Sequence, residues 1–600
     1  MLPQLSAKAD NTTMINAFSG YNHNSVIQEG QFYDMKNMSC DEYPVLVPRK
    51  RRGIYRRGEQ IQGMLGGEYL TFVDNNVLYF KDEEILKLKD GGERQLVMMG
   101  ALLCVFPDGV IYNTQTNEIT YIDNCITTKE PPRLTLCRLD GVKFDDSNTV
   151  TSDTEPTDKK KYWLDTSQQS VVLKMYSASS SMWVSIPTTY VKVEAEGIGK
   201  GFKANDAATF SGVDKNENVY NNWNFNQSNI IYAAEDDYLI ITGLINRTFV
   251  NSRNITVERK MPEFDYCTEL NNRIWACSSK KHEVYACKQG DPTNWYCYAG
   301  LDNDSYASTI GTDGEFTGIV SYNDSIYFFK ENGYHRLYGN RPANYEITWN
   351  AGKGVQKGSG KSIAVVNNCL IYKSMDSVVM YDGSINSISN SLGTLNYYDA
   401  VGGYYRNKYY LSMRNENYDY AMYVYDTAKN MWSKEDGIIM KYMSYGRNSL
   451  FMCDDNNVIY LVTAEALYMP WHPMSTEIPE KYMYPAIDNY PGYIPGGEEE
   501  KDFEWSAITG EIGLDTPFKK YIKKLYMRMQ LEENAKFMVE IQYDSTGDWE
   551  KVIDLYCTRK KSYEIPIPVI RCDHMTIRIS GFGKMKLYSI AKVVEEGSGK

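Results

Sequence analysis

One stretch raises the question of chemistry at once. GVQKGSGKSIAVV (354–366) places Gly-Lys-Ser after a glycine-rich run, the ending of a loop that cradles phosphate. The full pattern G-x-x-x-x-G-K-[ST] needs glycine at 355, but that residue is Val355, and Gly354 is one position early. Ser362 is followed by IAVVNNCLIY, a strand and a hairpin, where phosphate binding needs a helix whose first amides face the anion. GIGKGF (197–202) lacks the closing Ser or Thr. The five histidines (His23, His282, His335, His472, His574) have no ligand-spaced partner, so no zinc site is expected. Asp302 and Asp304 in LDNDSYAS echo a calcium loop without its glycine and closing glutamate. No G-x-S-x-G elbow occurs, although 77 acidic residues leave a glycosidase-like carboxylate pair open. The expectation is a protein that is not an enzyme and carries no cofactor.

Two segments could instead bind a partner. VPRKRRGIYRRG (47–58) sets Arg49, Lys50, Arg51, Arg52, Arg56 and Arg57 within nine residues of a chain whose net charge is -13. Three readings compete: a solvated or internally paired segment, a docking strip for an acidic protein, and direct phosphate contact. If all six gripped duplex DNA, log K would fall against log salt with a slope of about -5. The stretch 471–503, WHPMSTEIPEKYMYPAIDNYPGYIPGGEEEKDF, is interrupted by five prolines and reads as an extended arm. Its Tyr482, Tyr484, Tyr490 and Tyr493 point to an arm that docks on a neighbouring surface.

The elements behind these residues read as all-β. Fifty Tyr against 20 Pro in 600 residues favour half-buried strands. A polar, usually Asn-containing pair leading into an aliphatic-aromatic strand recurs as DNNVLYF (74–80), LNNRIWACS (270–278), VNNCLIYKS (366–374), YRNKYYLSM (405–413) and DNNVIYL (455–461). Asn tolerates the positive φ of tight hairpins. The recurrence at roughly 40 to 50 residues matches one four-stranded propeller blade. IYNTQTNEIT (111–120) aligns without gaps to VYDTAKNMWS (424–433), and Trp295 and Trp432 are expected to pack between blades. The reading is a β-propeller of six or seven blades with an inserted small β-barrel or sandwich and a C-terminal β-sandwich. Its parts are an N-terminal arm with the basic strip (1–58), blades (59–130), the insertion (131–257), further blades (258–470), the arm (471–503) and the sandwich (504–600). The twelve scattered Cys suggest buried free thiols and folding in a reducing cytoplasm. No apolar run suits a membrane anchor.

FSGYNHNSVIQEGQFYDMKNMSCDEYPVLVPRKRRG (18–53) resembles the N-terminal region of bacteriophage packaged-DNA stabilisation proteins, the hub or nozzle of short tails. The shared order is a glycine-rich opening, an Asn, a turn and a Pro-Arg-rich strand: Gly20, Asn37, Tyr43-Pro44 and Pro48-Arg49. The resemblance continues through GDPTNWYCY, FTGIVSYNDSIYFFKENGYHRLYGNRPANYEI, GSGKSIAVVNNCLIYKSMDSVVMYDG and YIKKLYMRMQLEENAKFMVEIQYDSTGDW, and covers the insertion less clearly. None of these motifs is catalytic. The resemblance implies a structural virion protein that forms a homo-oligomeric ring, a hexamer, below the portal and adaptor. Such a ring conducts and retains packaged double-stranded DNA, and tail fibre, spike or plug proteins are further partners. The implied location is the virion tail, after assembly in the bacterial host cytoplasm, with the basic strip at the adaptor-facing contact. The rival is a receptor-binding, glycan-binding or glycan-cleaving propeller of the tail tip, which could recruit Trp471 and Trp505.

Overall fold

The computed structural model describes residues 11–215, 219, 223–468, 498–514, 517–556 and 558–596. The chain is all-β, of the β-propeller class with an inserted β domain and a C-terminal β-sandwich, and its helical content is a few 3-10 turns. It divides into two compact units, one of residues 1–94, 328–334 and 349–600, the other of 95–327 and 335–348.

Asparagine-punctuated hairpins build the blades. Asn75 and Asn76, Asn271 and Asn272, and Asn367 and Asn368 all have φ between 47° and 62°. These are the left-handed values that a two-residue turn between twisted strands requires. The hairpins join into antiparallel meanders over 61–87, 95–121, 266–309, 318–351, 364–387, 397–434 and 440–461. Their second strands are covered on both faces: all six residues of Ser325–Lys330 and of Ser449–Asp454 are buried.

In the first unit the meanders over 364–387, 397–434, 440–461 and 61–87 follow one another. The Gly66 amide donates to Ser444 Oγ at 2.7 Å, and the Arg447 amide donates to the Gly67 carbonyl at 3.0 Å. The last and first meanders are therefore neighbours although these residues lie 378 positions apart. Val458–Leu461 then pairs with Gly53–Arg57, so the last meander is completed by an N-terminal strand.

That N-terminal stretch is not a free arm. Asn11–Ile15 pairs with Met585–Glu596, and Phe32–Lys36 pairs with Glu504–Thr509. The two N-terminal strands thus complete both sheets of the C-terminal sandwich, one at each edge. Its long strand Lys520–Leu531 alternates buried with more open positions, as a strand covered on one face must.

In the second unit, the meanders over 95–121 and 266–309 share a core of Val97, Phe106, Ile111, Ile274, Tyr285 and Trp295. The insertion is an eight-stranded sheet with a four-stranded sheet over 149–185, and both supply one core that includes Leu134, Leu164, Leu173, Val191 and Ile231. Its stem is the pair Asn124–Thr127 with Thr256–Arg259, which reaches beyond the expected edges 131 and 257.

Candidate functional site

The basic strip meets an acidic run of its own chain. Residues 498–502 read EEEKD, and Glu498 and Glu499 pair as a short strand with Ile54 and Gly53. Arg49 forks onto Glu500 at 2.7 and 2.9 Å and reaches Asp436 at 3.1 Å. Arg52 holds Asp436 at 2.8 Å and Glu435 at 2.7 Å. Arg51 pairs with Glu499 and Asp502, Arg57 with Glu498, and Lys50 with Glu465. Arg56 lies over the rings of Phe72 and Tyr79, 4.9 and 4.4 Å from their centroids.

Burial separates these six. The side chains of Arg49 and Arg52 are 4% and 2% exposed. A docking role does not hold for these two, because their guanidiniums are spent inside the chain and no outside surface reaches them. Lys50, Arg51 and Arg57 remain at the surface, 53%, 46% and 61% exposed. Burial alone would raise the Glu500 carboxyl, but Arg49 and Arg52 hold it below its ordinary value. Burial would likewise raise Asp436, but Arg52 and Arg49 together hold it low. The Arg52 guanidinium is held firmly charged by Asp436 and Glu435 against the cost of burial.

The clasp borders a cavity of about 650 Å³. Val47, Pro48, Phe503 and Met585 give it apolar surface, and Lys50 and Lys586 bring charge. Phe503 also carries the Arg49 guanidinium 3.9 Å above its ring.

The residues that carry the family resemblance lie along this joint. The Tyr21 amide donates to the Trp432 carbonyl at 2.7 Å, and a Cβ on Gly20 (φ 79°) would stand 2.3 Å from that same oxygen, so only glycine fits there. Asn37 donates from Nδ2 to the Glu504 carbonyl at 2.8 Å, and its Oδ1 accepts from Arg49 Nε at 2.8 Å. The Phe18 amide donates to the Pro44 carbonyl, Pro48 pairs with Met38, and Leu46 bridges Leu587. One strap therefore ties the sandwich to the blades around Trp432 and the strip.

Other expected sites resolve individually. The Ser362 hydroxyl is buried and donates to the Ser359 carbonyl at 2.6 Å, in a three-residue 3-10 turn. Gly354 packs against the Lys330 carbonyl, where a Cβ would sit 1.7 Å from the oxygen. That glycine serves a close backbone approach. Trp432 is buried and donates from Nε1 to the Ile388 carbonyl at 2.7 Å, which links two meanders. Trp295 packs on Phe106. Trp505 belongs to the sandwich core at 1% exposure and donates to Gly583, so burial removes it from any glycan-facing role. Arg273 grips the carbonyls of Asp302 and Asp304, which makes that loop a braced turn. Tyr482, Tyr484, Tyr490, Tyr493 and Trp471 lie outside the described residues. Eight of the eleven described cysteines are buried, and burial pushes the Cys40 thiol up to about 12. Among the described residues no group of three His, Cys, Asp or Glu is arranged to hold a metal ion, and no helix is long and apolar enough to cross a membrane.

No protein-family model matches the sequence, and no curated protein sequence matches it. Among solved structures the chain is similar to an exo-β-1,3-galactanase from Phanerochaete chrysosporium, at 8% identity and a TM-score of 0.20, over 55% of this chain and 95% of that one. It is similar to PorZ of the type-IX secretion system of Porphyromonas gingivalis at 7% identity and a TM-score of 0.24, over 84% and 70%. It is similar to Hsv2 of Kluyveromyces lactis at 10% identity and a TM-score of 0.25, over 55% and 96%. Likenesses of this strength bear on neither substrate nor partner.

Proposed function

We propose that this chain is a structural building block of a bacteriophage tail, the hub or nozzle ring below the portal and adaptor, through which packaged DNA is retained and conducted. The observation that carries the reading is the strap: Gly20, Asn37, Pro44, Pro48 and Arg49, the residues of the resemblance, are spent on binding the sandwich to the blades. Their spacing serves assembly of the chain, which is what a building block requires. The net charge of -13 also suits a conduit, because a lumen that attracted phosphates would slow the passage of DNA.

In this reading six copies form the ring, with adaptor or portal-proximal proteins on one side and tail fibre, spike or plug proteins on the other. The surface-exposed pairs of Lys50, Arg51 and Arg57 become the adaptor-facing contact, and Arg49 and Arg52 stabilise the segment that presents them. The direct test is the mass of the species released from native particles. A hexamer is 6 × 68.8 = 412.8 kDa. Release of only a 68.8 kDa species that cleaves or binds surface glycan favours the tail-tip alternative.

A further inference from the structure

The C-terminal sandwich holds a constellation that plays no part in the strap. Asp544 and Ser545, both at φ 50°, form the tip of the hairpin between Lys536–Tyr543 and Glu550–Tyr556, closed by the Thr546 amide on the Tyr543 carbonyl at 3.2 Å. Ser545 Oγ lies 2.8 Å from His574 Nε2, and His574 Nδ1 lies 3.1 Å from Asp573 Oδ2. The His574 side chain is 12% exposed, whereas Ser545 is exposed. We propose that Ser545 is a nucleophile for carboxylic esters, with His574 as its general base and Asp573 as the residue that positions the imidazole.

The backbone fixes this order. Asp544 Oδ1 accepts the amides of Asp573 at 2.7 Å and His574 at 3.2 Å, and the Asp544 amide donates to the His574 carbonyl. The turn that exposes the hydroxyl therefore also seats its base. The bond to His574 holds the Asp573 carboxyl below its usual range, so it stays an acceptor for Nδ1–H. In the reaction the Ser545 oxygen bonds to the acyl carbon and its proton passes to His574 Nε2. The leaving alkoxide takes that proton and departs, and water repeats the sequence to free the acid. Because the hydroxyl stands at an exposed tip, the fitting substrate is a short acyl ester on a larger alcohol, whose bulk stays in solvent.

Carboxylates crowd the imidazole of His574. Glu511 Oε1 lies 3.4 Å from both Nε2 and Ser545 Oγ, Asp573 and Asp544 flank it, and Lys519 and Lys520 act on Asp573.

The test uses the full chain with a fluorophosphonate probe and with p-nitrophenyl acetate, the adduct being located by peptide mass spectrometry. The adduct is expected on Ser545, absent in Ser545→Ala, and formed at least tenfold more slowly in His574→Gln. Asp573→Asn is expected to slow it, and the conservative Asp573→Glu to restore part of the rate. A probe adduct elsewhere, or equal labelling in His574→Gln at an unchanged unfolding temperature, overturns the proposal. If His574→Gln does not fold, Ser545→Cys at the exposed tip decides: its alkylation by iodoacetamide must outpace that of exposed Cys125, and equal or slower alkylation overturns the proposal. The outcome is independent of the ring, which is read by mass.

Discussion

Arg52 shows why the strip is coherent. Its buried guanidinium neutralises Glu435 and Asp436, and removing one partner of a buried pair leaves the other charges to bear the cost of desolvation. Arg52→Ala is expected to destabilise the chain by about 3–5 kcal/mol, measured by denaturant unfolding. Arg57→Ala, whose pair with Glu498 is exposed on both sides, is expected to change the same midpoint by less than about 1 kcal/mol. Acid gives the complementary test. Glu500 and Asp436 have folded values depressed below 4.5 and 3.8, so their stabilisation is present above those values and is lost as pH falls through the folded ones. Glu500→Gln lacks its share of that term, so the stability gap between it and wild type is expected to narrow as pH falls below about 4.5. A gap that stays constant from pH 6 to 3 contradicts the assignment. Both charge runs were visible in the sequence, and their opposite signs were a signal that 49–57 and 498–502 belong together. Ser545 and His574 gave none, because they lie 29 residues apart and meet through the pairing of non-consecutive strands, not along a motif.

At the scale of elements, local signals were legible and distant pairings were not. Asn pairs such as Asn367 and Asn368 announce their hairpins because a positive φ is demanded by the turn itself. The alternation of 520–531 likewise announces a half-covered strand. Nothing local states that Asn11–Ile15 pairs with Met585–Glu596, because each strand offers the same alternating face to any partner. The N-terminal stretch therefore reads as an arm when it is in fact two edges of the sandwich. A chain that starts at Asn37 loses both strands. It is expected to expose the sandwich to protease while the meander over 95–121 stays protected, as limited proteolysis with peptide mapping can show. Equal protection of 504–596 in the shortened and full chains contradicts the strand assignment. The inserted domain was legible as a β segment, but its eight-stranded order was not, since the strands over 149–185 and those of the larger sheet differ only in which distant strand they meet.

At the scale of the whole molecule, the proposed function makes the chain one part of a larger assembly. The strap residues, the completed last meander and the buried ion pairs of the basic strip all spend sequence on holding the chain together. The measurement that tests this most directly is a cryo-electron-microscopy map of native particles, with this chain fitted as a rigid set of domains. The account predicts density for six copies around the tail axis, between the portal-proximal adaptor and the distal tail proteins. Density at peripheral fibres or spikes in place of that ring, or particles that lack the chain, contradicts it.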